Sequence, residues 1–150
     1  MPSHPHEEAA YHFFMPSYTF PARFEFLDEI RECVAQVARE GGFSEKMIYS
    51  LQLAADEAAS NIIEHAYEGE TDATLDLACD MKGDEIVIVL RDRGKSFDPS
   101  GVKDPNLSAD LTSRQVGGLG IYLMRKLMDT VRYESNSRSG NLLVMTKRRD

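Results

Sequence analysis

The chain has little of what would place it outside the cell or on a nucleic acid. Only two cysteines occur in its 150 residues, Cys33 and Cys79, with no pair spacing that indicates zinc or a redox motif. Both fall at apolar positions of their segments, which predicts buried free thiols and a reducing compartment. Positive charge is also scarce: 17 Lys and Arg face 25 Asp and Glu, for a net charge of −8, so a nucleic-acid footprint is not expected. The terminal Lys147-Arg148-Arg149 run reads as a solvated strand end. The longest unbroken apolar run, Ile86 to Leu90, is far too short to span a bilayer. The leader MPSHPHEEAAYHFF lacks a cationic region followed by a long apolar stretch, so it is not a secretory signal. No internal repeat is visible. These absences leave a cytoplasmic globular protein with no membrane segment and no direct nucleic-acid contact.

What remains is ordinary in amount: 42% apolar and 28% charged residues, enough for one domain over residues 1–150 with residues 1–12 as a flexible polar leader. The aromatic stretch Phe13 to Phe20 predicts a strand, with Pro16 indicating an edge or a bulge. Pro21 then opens a helix on which Leu27, Ile30, Val34 and Val37 share a face until Gly41-Gly42. Ser44 caps a second helix that runs to Tyr67 and is broken by Gly69. Alternation of Leu75, Leu77, Cys79 and Met81 with polar residues predicts a strand with one wet face. Lys82-Gly83-Asp84 turns into Ile86 to Leu90, apolar on both faces and therefore a central strand. Pro99 to Val116 reads as a long loop, of the kind that serves as a lid. A helix carrying Met124, Leu127 and Met128 follows, then two strands joined at Ser137 to Gly140. This order predicts an α+β chain, a two-layer α/β sandwich with helices on one face of a mainly antiparallel mixed sheet.

Three places carry chemistry. Glu57 and Asn61, four apart on the second helix, stack at the margin of its apolar stripe of Ile48, Leu51, Ala55, Ala58, Ile62 and Ala66. A carboxylate and an amide held there can accept a proton and coordinate a hard cation; an incidental solvated face would look the same. Asp92 ends the central strand, with Gly94 two residues on and Phe97-Asp98-Pro99 opening the lid. An ionised Asp only accepts hydrogen bonds, which suits an exocyclic amine such as that of adenine, although Asp-x-Gly also marks plain turns. Gly117, Gly118 and Gly120 stand at a loop-to-helix junction, where free amides and the helix dipole favour phosphate. Their spacing fits neither the P-loop nor the dinucleotide fingerprint. The fixed order of ledge, strand-end Asp, lid and glycine-rich helix start is more specific than any of the three.

Glu57 to Tyr67 (EAASNIIEHAY), Asp92 to Pro99 (DRGKSFDP) and Gly117 to Ile121 (GGLGI) resemble the three nucleotide boxes of the GHKL ATPases. Within them the chain is most similar to the bacterial anti-sigma factor serine kinases, over roughly Arg23 to Lys147. The resemblance implies a Bergerat-type fold and an ATP site with Mg²⁺ on Asn61 and Glu57 as the catalytic base. It also implies nucleotide contacts from Asp92, Gly94, Phe97, Arg114, Gly117, Gly118, Leu119 and Gly120. Its implied partners are a sigma factor and an anti-sigma antagonist of STAS type, and it allows a homodimer. Two positions depart from the family. Asn141 and Leu142 follow Gly140 where a Thr near the adenine is common, Thr146 coming later; and Arg114 is the only basic residue just before the glycines.

Two classes of function follow: a protein-serine kinase that also binds a sigma factor, or a nucleotide-dependent module that sequesters a partner without phosphoryl transfer. Glu57 favours the kinase, because the module has no need of a base. A divalent-metal hydrolase built on Glu57, Glu64 and His65 leaves Asp92 and the glycines unexplained.

Overall fold

The computed structural model describes residues 15–66, 72–94, 118–136 and 140–150. A five-stranded sheet carries helices on one face. Strand β1 (Ser17–Pro21) is followed by a 3-10 turn (Phe24–Phe26), helix α1 (Leu27–Glu40), helix α2 (Glu45–Asn61) and one π-helical turn (Ile62–Ala66). Then come β2 (Thr74–Lys82), β3 (Glu85–Asp92), α3 (Gly118–Leu127), β4 (Thr130–Asn136) and β5 (Gly140–Arg148). The strand order is β1-β2-β3-β5-β4, and each neighbouring pair is antiparallel. The parallel component implied by a mixed sheet is therefore absent from these five strands.

Strand β3 sits at the centre because it has no polar face to turn to water. Ile86, Ile88 and Leu90 point into the main core beneath the helices, while Val87 and Val89 are buried on the other face with Met15, Ala78 and Val144. Leu77 of β2 and Met145 of β5 continue the helix-side face on either side. Helix α2 answers with Ile48, Leu51, Ala54, Ala55, Ala58 and Ala59, and its small residues allow α1 and α3 to pack closely beside it. Truncating a fully buried side chain such as Ile88 would cost roughly 2–5 kcal/mol.

The helix boundaries follow local chemistry. Ser44 caps α2, its Oγ accepting from the Met47 amide at 3.2 Å, a contact of about 1 kcal/mol. Gly42, at φ 87°, lets the chain turn out of α1. Pro21 does not open a helix as predicted. It is the last residue of β1, paired with Thr74, and an edge strand tolerates a residue without an N–H. Helical structure begins only at Phe24, after an extended Arg23. Strand β1 starts at Ser17, later than the aromatic run implied, and Phe13 and Phe14 lie outside the described residues. The expected edge position of β1 is observed. Of the thiols, Cys79 is buried but Cys33 is only half-buried on α1, contrary to expectation. Among the described residues no helix is long and apolar enough to cross a membrane.

Candidate functional site

Two polar groups interrupt this apolar interior. The first is on α2. Glu57 is half-buried, and loss of water pushes its carboxyl above the ordinary glutamate range, with Asp56 and then Glu64 adding repulsion. One helical turn later comes Asn61, whose Nδ2 is buried with no hydrogen-bond partner among the described residues. An unpartnered buried amide costs about 1–3 kcal/mol, so it is an unusual thing for a helix to carry. Asn61 is also the last α-helical residue: the backbone changes to the π turn at Ile62, and π turns inside helices occur frequently at functional sites. Ile62 and Ile63 still pack into the core.

The second polar group is the corner at the end of β3. Asp92 follows Ile86, Ile88 and Leu90 on the helix-side face and is only 6% exposed. Its Oδ1 accepts from the Gly94 amide at 2.8 Å, which closes the Asp-x-Gly turn, and from Asn141 Nδ2 at 2.8 Å. Burial raises its pKa, and the hydrogen bonds from Asn141 and Gly94 only partly offset that effect. Gly140 makes the corner tight: its φ is +92°, and a Cβ there would lie 2.3 Å from the Asp92 carbonyl oxygen.

Of the predicted site residues, the structure joins Asp92 and Gly94 in one turn and sets Glu57 and Asn61 one turn apart on α2. Among the described residues no hydrogen bond links the ledge to the corner. Gly118 is the first residue of α3, with Leu119 and Gly120 in the same first turn; the leading amides of a helix lack intrahelical partners and favour an anion. Helix α3 packs on α2. Phe97, Arg114, Gly117 and the predicted lid lie outside the described residues, as does the His65 side chain. Among the described residues no three His, Cys, Asp or Glu side chains converge on a metal position.

Sequence reasoning passed over Asn141 as a functional residue, noting it only as a departure. It is 3% exposed and in register with Asp92 across β3 and β5. The signal was available: Asn141 shares a face with Leu143 and Met145, so a polar side chain stands at an inward position of an apolar alternation. Thr146 is on the opposite face, its hydroxyl 2.5 Å from that of Thr130, and takes no part in the corner.

An antiparallel sheet under three helices, with a buried acceptor at a strand end and a glycine-rich helix start, is the arrangement of a nucleotide-binding ATPase domain, the class that the family match assigns. Residues 20–147 match the histidine kinase-like ATPase domain, and the chain belongs to that family. Among its relatives is the serine-protein kinase RsbW of Bacillus velezensis, 34% identical over 133 residues that cover 85% of this chain and 81% of that one. RsbW of Bacillus subtilis is 33% identical over the same shares of both chains. A crystal structure of the RsbU and RsbW domains of a Mycobacterium tuberculosis protein has the same fold, with a TM-score of 0.60. That match is 17% identical and covers 89% of this chain and 32% of the other.

Proposed function

We propose that this chain is an ATP-dependent protein-serine kinase and anti-sigma regulatory factor, which phosphorylates an anti-sigma antagonist of STAS type and sequesters a sigma factor. The observation that carries the reading is the pairing on α2 of a half-buried Glu57, its proton affinity raised, with the Asn61 amide nitrogen one turn away, buried and without a hydrogen-bond partner among the described residues. A binding module needs the second of these but not the first. The names of the relatives support the reading.

The residues fit ATP with Mg²⁺. An Asn side chain can turn its amide about so that Oδ1 takes the place of Nδ2, and that oxygen is a hard-cation ligand at a position with no hydrogen-bond partner among the described residues. One protein oxygen suffices, because Mg²⁺ keeps waters and phosphate oxygens as its other ligands. At the other end, Asp92 accepts from the 6-amino group of adenine beside Gly94, and the first turn of α3 at Gly118, Leu119 and Gly120 meets the phosphates. Phe97, Arg114 and Gly117 belong to the same nucleotide reading. Bound ATP and Mg²⁺ supply the phosphoryl group and neutralise charge on its oxygens. Glu57 would hold the attacking serine hydroxyl and take its proton as the new oxygen–phosphorus bond forms and the bond from the γ-phosphorus to the β–γ bridging oxygen breaks, with ADP as the leaving group. A carboxylate whose pKa is raised is a stronger base than an ordinary Glu. A cytoplasmic setting and a homodimer belong to the same reading.

The test is incubation of the purified chain with γ-labelled ATP, Mg²⁺ and a small anti-sigma antagonist of STAS type. Label on one serine of the antagonist, absent when that serine is replaced by Ala, supports the kinase. ATP and partner binding without any transfer would leave only the non-catalytic switch module.

A further inference from the structure

The corner at the end of β3 holds a side chain to which the proposed ATP site gives no task. Asn141 spends every polar atom of its amide there. Nδ2 donates to Asp92 Oδ1 at 2.8 Å and to the Gly94 carbonyl at 2.9 Å, while Oδ1 accepts from Ser135 Oγ at 2.9 Å. The orientation of the amide is set by chemistry: turned about, its oxygen would face a carboxylate and a carbonyl. Asp92 Oδ1 therefore receives two donors, from Asn141 and Gly94, and among the described residues Oδ2 receives none.

We propose that Asn141 is a positioning residue that sets purine specificity, tying Asp92 Oδ1 and the Gly94 carbonyl to one amide so that Asp92 Oδ2 is presented to an amino group at the purine 6-position. The proposal rests on the ATP-site reading. Few side chains can do this. A Thr or Ser hydroxyl has one hydrogen to donate and cannot serve both acceptors, an Asp would set a second carboxylate against the first, and an Ala or Leu donates nothing. With both contacts in place the carboxylate is held as a pure acceptor, and a 6-oxo purine meets it oxygen to oxygen. Without them Asp92 is free to rotate, or to hold a proton and offer an O–H to the 6-oxo group. Ser135, on β4, keeps the amide from turning over.

The experiment measures affinities of the full chain with Mg²⁺ for ATP, ITP and purine riboside triphosphate, which carry an amino group, an oxo group and hydrogen at the 6-position. Wild type prefers ATP to ITP. Asn141→Ala lowers that ratio by about tenfold or more, the usual consequence of losing a hydrogen bond to a charged group, while affinity for purine riboside triphosphate changes little. Asn141→Thr, with one donor, recovers part of the ratio, and Ser135→Ala gives a smaller loss. A residue that only stabilised the fold would move all three affinities together. An Asn141→Ala protein that is folded by circular dichroism and keeps the wild-type ratio overturns the proposal and leaves the ATP site intact. If that variant does not fold, unchanged ratios in both Asn141→Thr and Ser135→Ala overturn it equally. Wild type that binds none of the three nucleotides removes the ATP-site reading itself, and the proposal with it.

Discussion

Arg31 reaches from α1 to α2 and forms an ion pair with Asp56, the residue that precedes Glu57 in the chain. The same guanidinium takes Asp28, and the Arg31 carbonyl accepts from Gln52 Nε2 at 3.3 Å, so the pair is anchored on both helices. Asp56 is one of the charges that raise the Glu57 pKa, and Arg31 is its ion-pair partner.

Arg31→Met keeps most of the packing and removes that cation. With Asp56 uncompensated, the Glu57 carboxyl holds its proton to higher pH, so less of the ionised base is present at a given pH. The acid limb of the pH–rate profile for antagonist phosphorylation should move to higher pH, with the plateau and ATP affinity unchanged. Stability should fall by about 1 kcal/mol at most, since the pair is only partly buried. A limb that stays in place would mean that Asp56 is not felt at Glu57.

Asp92 makes a prediction of opposite character for stability and for binding. Its pKa is raised in the folded protein, first by burial, so the stability it lends is present below the ordinary carboxylate pKa and is lost as pH rises through its raised value. Asp92→Asn cannot ionise, yet still offers a carbonyl oxygen to Asn141 and Gly94. Without nucleotide, this variant should melt at or above wild type at neutral pH, the gap closing as pH falls toward about 4. With ATP the order reverses. Wild type at a hundred times its Kd gains about 2.7 kcal/mol, and the variant gains much less. A variant that melts below wild type at neutral pH without nucleotide would show that the ionised carboxylate is a net stabiliser.

The fold was legible where one local signal dominated. Ile86 to Leu90 had no polar face and could only be central; Ser44 followed by Glu45 could only start a helix; Gly83, at φ 65°, sits in the turn expected at Lys82-Gly83-Asp84, with Lys82 paired to Glu85. The misreadings came where two principles compete. Pro21 suits a first helical turn and an edge strand equally, and pairing with Thr74, a tertiary fact, decides between them. Cys33 lies at an apolar position of α1, but the local pattern does not show that this position is the margin of the buried stripe. Of the candidate site, Glu57, Asn61, Asp92 and Gly94 could be named from spacing and order. The π turn after Asn61 and the contact between Asp92 and Asn141 could not, because the first depends on backbone geometry and the second on strand register across 49 residues of chain.

Gly140 tests that register directly. A methyl group there would meet the Asp92 carbonyl at 2.3 Å on a backbone with φ +92°, so Gly140→Ala must shift β5 against β3 at the position where Asn141 binds Asp92. The expected loss is roughly 3 kcal/mol or more, together with weaker ATP binding. Gly83→Ala is the control: its φ is +65° but nothing lies within 4 Å of the added carbon, so it should cost only the left-handed penalty of about 1–2 kcal/mol and leave ATP binding alone. Equal losses in the two melts would mean that the close approach to Asp92 relaxes freely.

The division of labour on α2 separates kinase from switch. Transfer to a serine needs its hydroxyl aligned and relieved of a proton, and in the proposed site Glu57 does this while Asn61 holds the cation. Glu57→Ala should therefore leave ATP affinity within a few-fold of wild type and lower phosphorylation of the antagonist by on the order of 10²–10⁴. Because burial and repulsion disfavour the ionised Glu57, the same substitution should not destabilise the protein at neutral pH by more than the packing it removes. Asn61→Ala removes a buried amide that has no protein partner on its nitrogen, so its effect should appear as weaker binding of ATP in Mg²⁺ rather than as a lower melting temperature. Titration of Mg²⁺ at fixed ATP distinguishes the two variants, with Asn61→Ala needing more Mg²⁺ and Glu57→Ala the wild-type amount. Unchanged transfer in Glu57→Ala would remove Glu57 from the mechanism while leaving the kinase. An Asn61→Ala protein with wild-type Mg²⁺ dependence would place the cation elsewhere.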